Sequence, residues 1–242
     1  MKFVIIIPAR YKSSRFPGKP LSKILGKEMI LRVLDICNHL VKRENLFVAT
    51  ENSKIKDIVE KNNFNAIMTS KKCLTGTDRV AEASKKINSN IFINVQGDEP
   101  LIKSADIKKI VKEKKKFPDH VICGYTTIGR NESESNINLP KVVLNSKSEL
   151  VYISRLPVPG KKEKNKKIKY FKQVCIYAFS KNQLDKFYKF GKKSYLEKIE
   201  DIEILRFFEL NIPIKMVSVS KSSIAVDIKT DIKKVEKVLR KK

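Results

Sequence analysis

FVIIIPARYKSSRFPGKP, residues 3–20, couples two patterns that rarely adjoin. Phe3 to Ile7 is an unbroken apolar run with no alternation, which reads as a strand covered on both faces, as in a parallel sheet. The next thirteen residues carry Arg10, Lys12, Arg15 and Lys19, with Ser13 and Ser14 between them and Pro17, Gly18 and Pro20 fixing the turn. Ligands of open parallel sheets bind beyond the carboxyl ends of the strands. Cations held there between turn-formers point to an anionic ligand. Arg10, Arg15 and Lys19 can converge on a polyphosphate, with backbone N–H groups and Ser13 or Ser14 as further donors. The spacing is neither G-x-G-x-x-G nor G-x-x-x-x-G-K-[ST], so neither dinucleotide fingerprint nor Walker loop is present.

Outward from this stretch, strand-like runs alternate with helical periodicity. Met29, Ile30, Val33, Leu34, Cys37 and Leu40 recur at helical spacing, and LFVAT (46–50) is the next strand. Ile55, Ile58 and Val59 mark a helix, residues 66–69 a strand, 80–87 a helix, IFINV (91–95) a strand, and Ile107, Ile110 and Val111 a further helix. The alternation predicts an α/β fold with a mostly parallel central sheet and helices on both faces. Residues 121–128, 141–145 and 149–154 are closely spaced strands, which predicts an inserted antiparallel arm. A charged loop at 160–169, a strand at 174–180 and a helix at 181–190 follow, then an amphipathic helix over 199–210, a strand at 214–219 and a helix at 231–239. With no repeat and no long linker, residues 1–242 read as one domain, its nucleotide half about 1–120 and its acceptor and dimer arm about 121–200.

Apolar residues make up 41% and aromatics 8%, which places the chain among globular proteins, and no run approaches a membrane span. Cys37, Cys73, Cys123 and Cys175 form no C-x-x-C pair, and only His39 and His120 could assist, so no zinc site is expected and a reducing cytoplasm fits. The net charge of +26 suits an anionic partner. Its lysines are scattered, however, and KEKKK (112–116) and KKEKNKK (161–167) lack interleaved aromatics. They read as solvated helix face and loop rather than a nucleic-acid surface.

Two further stretches carry chemistry. IFINVQGDEPLI (91–102) runs from a strand into Gln96, Gly97 and Asp98, where a carboxylate can hold a hard divalent cation and Gly97 permits close backbone approach. In SSIAVDIKTD, Asp227 follows a short apparent strand and precedes the last helix.

IIIPARYKSSRFPGKPL, LTGTDRVAEA, INVQGDEPLI, YISRLPVP, IYAF and IAVD together resemble the nucleotidyltransferases that activate sugar acids with CTP. The nearest likeness is to the 3-deoxy-manno-octulosonate (Kdo) cytidylyltransferase, or CMP-Kdo synthetase, family of lipopolysaccharide assembly. The resemblance spans nearly the whole chain. It implies a Rossmann-like nucleotidyltransferase fold, Mg²⁺, a cytoplasmic homodimer, and CTP and a sugar acid as partners, with no nucleic acid and no membrane span. It implies that Arg10, Arg15 and Lys19, with Ser13 and Ser14, hold the triphosphate, and that Lys19, Arg10 and Asp98 are catalytic. Asp98 and Asp227 would bind magnesium. Residues Gly76 to Arg79 and the backbone near Ala9 would shape the cytosine pocket beside Gln96. Gln96, Arg155, Gln173, Tyr177 and Glu203 would meet the sugar acid.

Two positions depart from the family pattern. Gln173 stands in KQVCIY where the family has His, and Ile204 replaces Gln in the LEQLR segment. Gln173 can donate a hydrogen bond but cannot carry charge. Another acceptor, such as 8-amino-Kdo or a sialic-type acid, therefore remains open. The distant alternative is a basic nucleic-acid-binding protein built on a nucleotide-binding fold.

Overall fold

The computed structural model describes residues 2–13, 15–129, 132–163, 168–221 and 224–241. Ser14 and part of the charged 160–169 loop lie outside them. The chain opens with β1 (Phe3–Pro8), a small hairpin of β2 (Lys23–Ile24) and β3 (Lys27–Glu28), and α1 (Met29–Asn38). Then come β4 (Leu46–Thr50), α2 (Ser53–Lys61), β5 (Asn65–Met68), α3 (Gly76–Ser84), β6 (Ile91–Val95) and α4 (Ser104–Lys116). The second half holds β7 (Val121–Thr127), β8 (Lys141–Leu144), β9 (Leu150–Ser154), β10 (Phe171–Ser180) and α5 (Lys181–Phe190). It ends with α6 (Tyr195–Glu200), α7 (Leu205–Glu209), β11 (Ile214–Ser218) and α8 (Lys229–Leu239).

The sheet runs β11-β7-β10-β6-β1-β4-β5. Neighbours are parallel except at β10, which is antiparallel to both β6 and β7. The β8–β9 hairpin joins through β8 at the start of β10, pairing Phe171 with Val142. β1 buries both faces, as its unbroken apolar run requires. Ile5 and Ile7 pack with Val33, Leu34, Ile55, Val59, Ile107 and Ile110, while Val4 and Ile6 share the opposite core with Val80, Leu184, Phe187 and Phe207. A third cluster joins Phe16, Ile24, Met29, Leu101, Val226 and Val235. Phe16 thereby anchors the cationic loop. Burying one phenyl ring contributes about 2–3 kcal/mol, which offsets the ordering of an otherwise polar segment.

Four features differ from expectation. The single helix over 199–210 is two, α6 and α7, separated by Asp201 in the left-handed region at φ 48. Arg155 stabilises that break: its Nε donates to the Glu200 carbonyl and its Nη2 to the Asp201 carbonyl at 2.9 Å. The apparent strand before Asp227 is an extended segment outside the sheet, tied by Val226 N–H to the Asp98 carbonyl at 2.9 Å. β7 lies within the central sheet rather than in the arm. The KEKKK cluster is not all solvated, because Lys114 is only 1% exposed. Its Nζ donates to the carbonyls of Pro118 and His120 at 2.7 Å each and to Gln183 Oε1 at 2.8 Å, joining α4 to α5.

Candidate active site

The loop after β1 is built to present cations. Gly18 sits at φ 68, where a side chain is strained, and its N–H donates to the Tyr11 carbonyl at 2.9 Å, closing the loop on itself. Tyr11 N–H donates to Glu51 Oε1 at 2.9 Å, and Arg79 Nη2 lies 3.0 Å from Glu51 Oε2. Arg10, Lys12 and Arg15 are exposed, and an open cleft of about 410 Å³ is lined by Tyr11, Lys12, Ser13 and Pro17. Ser13 Oγ accepts from Phe16 N–H at 3.4 Å.

The carboxyl end of β6 abuts that of β1. A Cβ on Gly97 would lie 3.2 Å from the Pro8 carbonyl oxygen, so the residue must stay small for the strands to meet there. Next to it, Lys19 Nζ lies 2.5 Å from Asp98 Oδ2 and donates to the Val226 carbonyl at 2.9 Å. Arg15 Nη2 pairs with Asp227 Oδ1 at 3.3 Å. Asp231 Oδ2 accepts from the N–H groups of Asp227 and Ile228 at 3.1 Å each, fixing the turn that presents Asp227 at the head of α8. Loop cations and both candidate metal carboxylates thus neutralise one another. Two hard carboxylates without a full protein cage are the donor set Mg²⁺ uses alongside substrate phosphates, so the residues fit that ion.

A second group surrounds the start of α3. Thr75 and Asp78 form a reciprocal cap: Asp78 Oδ2 accepts from Thr75 N–H and Oγ at 2.8 Å each, and Thr75 Oγ accepts from Asp78 N–H at 3.1 Å. Glu203, in the break between α6 and α7, accepts from Thr77 N–H at 2.9 Å through Oε2 and from Gln96 Nε2 at 3.4 Å through Oε1. Burial raises its carboxyl above the usual range, against the lowering bond from Thr77. A Cβ on Gly76 would meet Pro8 at 3.4 Å and Gln96 at 3.5 Å, so Gly76, Gln96 and Glu203 line one wall. Arg79 is turned inward, 5% exposed, to Glu51 and to Thr69 Oγ.

On β10, Gln173 Nε2 donates to Tyr177 Oη at 3.2 Å, both buried, with Cys123 Sγ at 3.7 Å. A register shift in β10 between Val174 and Tyr177 carries them. Arg155 commits Nε, Nη1 and Nη2 to the carbonyls of Glu200, Ile137 and Asp201, with two of its five N–H donors still unassigned. The structure therefore brings Arg15, Lys19, Asp98 and Asp227 to one place, and Gly76, Gln96 and Glu203 to another beside it, whereas Ser13 lines the cleft with Tyr11, Lys12 and Pro17 and Arg10 lies within electrostatic range of Asp201. Arg155, Gln173 and Arg79 mainly brace their surroundings.

Sequence reasoning missed Arg206 and Glu51, and took Thr77 and Asp78 only as part of the 76–79 segment, without the cap on Thr75 or the bond to Glu203. Arg206 is fully buried and grips Glu197 through Nε and Nη2 at 2.7 Å each, and Asp78 through Nη1 at 2.6 Å. Burial opposes its charge, yet the two carboxylates raise its pKa on balance. The T-x-x-D spacing at Thr75 is the signal for the Asp78 cap; nothing local marks Arg206.

A doubly covered, mostly parallel sheet with a cationic loop beyond β1 and carboxylates beyond β6 defines a nucleotidyltransferase. The cytidylyltransferase family profile matches residues 4–239. The 3-deoxy-manno-octulosonate cytidylyltransferase of Flavobacterium johnsoniae is 35% identical, with 99% of each chain covered. The Escherichia coli protein of that name is 33% identical over 98% of this chain and 97% of its own. The chain belongs to the cytidylyltransferase family, among the 3-deoxy-manno-octulosonate cytidylyltransferases. The structure of CMP:2-keto-3-deoxy-manno-octonic acid synthetase complexed with CTP superposes with a TM-score of 0.90 at 33% identity, covering 100% of this chain and 99% of that one. A putative glucose-1-phosphate thymidylyltransferase from Bacillus anthracis shares the fold alone, with a TM-score of 0.70 at 11% identity over 99% of this chain and 96% of that one.

Proposed function

We propose that this chain transfers CMP from CTP to the anomeric hydroxyl of Kdo, giving CMP-Kdo and pyrophosphate. The carrying observation is Lys19 Nζ held 2.5 Å from Asp98 at the joined ends of β1 and β6, with Arg15 and Asp227 alongside. The full-length relatives named for this activity support it. Arg10, Arg15 and Lys19 take the triphosphate, with Ser13 as a further donor. Lys19 faces the charge that develops as the bond between the α- and β-phosphates breaks. Asp98 and Asp227 would hold Mg²⁺. Bound there, Mg²⁺ would supply positive charge against the α-phosphate and the leaving pyrophosphate.

The cytosine ring sits against the turn from Gly76, whose bracing Arg79 provides through Glu51. Gln96 and Glu203 receive hydroxyls of the sugar acid, so that its anomeric oxygen attacks the α-phosphorus in line. No protein nucleophile takes part. Burial pushes the Cys73 and Cys123 thiols up to about 12 and raises Cys37 and Cys175 as well, so none is a thiolate at neutral pH.

Exposed Ile137, Val151, Leu156, Tyr195 and Ile199 on the arm and α6 support a homodimer formed through that region. The free cysteines suit a reducing cytoplasm. No helix among the described residues is long and apolar enough to cross a membrane. The test is pyrophosphate release from CTP with Kdo, 8-amino-Kdo and N-acetylneuraminate, with and without Mg²⁺. Turnover with Kdo is expected. Turnover with another acid alone transfers the assignment to that acceptor, and no turnover with any of the three refutes it.

A further inference from the structure

Arg206 stands at the centre of a closed ring. Its guanidinium forks onto Asp78 (Nη1 to Oδ1 at 2.6 Å, Nη2 to Oδ2 at 3.3 Å), and Asp78 caps α3 through Thr75. The same helical turn offers Thr77 N–H to Glu203 at 2.9 Å, and the Glu203 carbonyl accepts from Arg206 N–H at 3.2 Å. A second fork holds Glu197 of α6, and the guanidinium lies 3.7 Å from the centroid of the Phe187 ring. With 0% exposure, Arg206 can touch neither substrate. Buried ionic groups are often no more stabilising than apolar ones of the same volume, so adhesion alone is a poor account of this cluster. What two planar forks at right spacing do well is fix the relative placement of two segments.

Those segments are 75–78, against the nucleotide, and 203–206, against the acceptor. We infer that Arg206 is a positioning residue for both substrates at once: through Asp78 it sets the α3 turn that receives the cytosine, and through that turn it aims Glu203 at the sugar acid. The inference rests on the proposed cytidylyl transfer. It deepens that reading by making the two pockets share one internal brace.

The experiment measures KM for CTP and for Kdo in Arg206→Lys, Asp78→Asn and the double variant, well below their melting temperatures. Val59→Ala, a cavity in α2 remote from the ring, serves as the destabilised control. Partial unfolding lowers the active fraction and hence apparent kcat, but leaves KM alone. Misplacement of both walls raises both KM values, by about 3–10-fold in each single variant. The double variant should lose less than the product of the two, because both break one ring. If Arg206→Lys does not fold, Asp78→Asn carries the same reading. Both KM values within twofold of wild type, a rise in only one, or an equal rise in Val59→Ala overturns the inference. A wild type that binds CTP but activates no sugar acid faults the functional reading instead, and the CTP dissociation constants of the variants still decide whether the brace exists.

Discussion

Asp98→Asn separates chemistry from architecture. The substitution is nearly isosteric, and the main-chain carbonyl at 98 still accepts from Val226 N–H, so the tie between β6 and the segment before α8 persists. Lys19 Nζ keeps the Val226 carbonyl at 2.9 Å. What disappears is the charge of one ion pair whose side chains are 16% and 29% exposed. A partly screened pair of this kind is worth about 1 kcal/mol, or roughly 2–4 °C of melting temperature in a domain of this size. Loss of a metal-anchoring carboxylate costs far more, about 10²–10⁴-fold in turnover, equivalent to roughly 3–5 kcal/mol of barrier. The assay is pyrophosphate release at saturating CTP and Kdo across a Mg²⁺ titration, with calorimetric melting of the same preparations. Turnover within tenfold of wild type at an unchanged melting temperature refutes Asp98 as a ligand. A melting temperature lowered by more than about 10 °C refutes the claim that its role is chemical rather than structural.

Lys19→Ala should lower kcat about 10²-fold while raising the KM for CTP far less, because its charge is used as the leaving group departs; an unchanged kcat with a large rise in KM assigns it to ground-state binding instead. Arg155→Lys cannot reach the carbonyls of Ile137, Glu200 and Asp201 together, so it should lower the melting temperature and raise the KM for Kdo several-fold while sparing the KM for CTP. Equal effects on both substrates would contradict that placement. Lys114 gives a pH signature: burial, partly opposed by Asp119, lowers its pKa from 10.5 to about 8. Between those values the unfolded chain binds a proton that the folded chain does not, so this group makes stability rise with pH from about 8 to 10.5, by about 3 kcal/mol. Denaturant unfolding at pH 8 and 10.5 should show Lys114→Met lacking that part of the rise, and an identical pH dependence in both proteins rejects it.

The parallel half was legible because β1, β4 and β6 are mostly apolar runs, bounded by polar or turn-forming residues. Pro8 to Pro20 and Gln96 to Pro100 therefore marked the ends of β1 and β6, where Lys19 and Asp98 meet. Lys114 was misread from its company of charges, although it follows Ile107, Ile110 and Val111 at the helical period and so must face inward. The break at Asp201 was hidden because apolar spacing runs on from Ile199 through Ile202 to Leu205, and a left-handed residue leaves no periodic trace. Arg206 was hidden for a different reason. Its partner Asp78 is 128 residues away in sequence, and only the packed layers bring them together. Glu203 and Gln173 were found by resemblance, but that Gln173 turns inward to Tyr177 depends on the β10 register shift.

The reversed β10 also bears on how such an enzyme can change. Six strands of the main sheet bring their carboxyl ends to the edge that holds Asp98, whereas β10 arrives there by its beginning, where Phe171 pairs with Val142 of the β8–β9 hairpin. Insertions, deletions or exchange of that hairpin can therefore shift Gln173 and Tyr177 while the pairing of β1 with β4 and β6, and with it the triphosphate loop, stays in register. The β8–β9 hairpin, within 141–154, and the pairing of β1 with β4 and β6, within 3–95, therefore lie in separate stretches of chain. A lineage, or an engineer grafting the 128–174 segment between relatives, can vary the first without rebuilding the second.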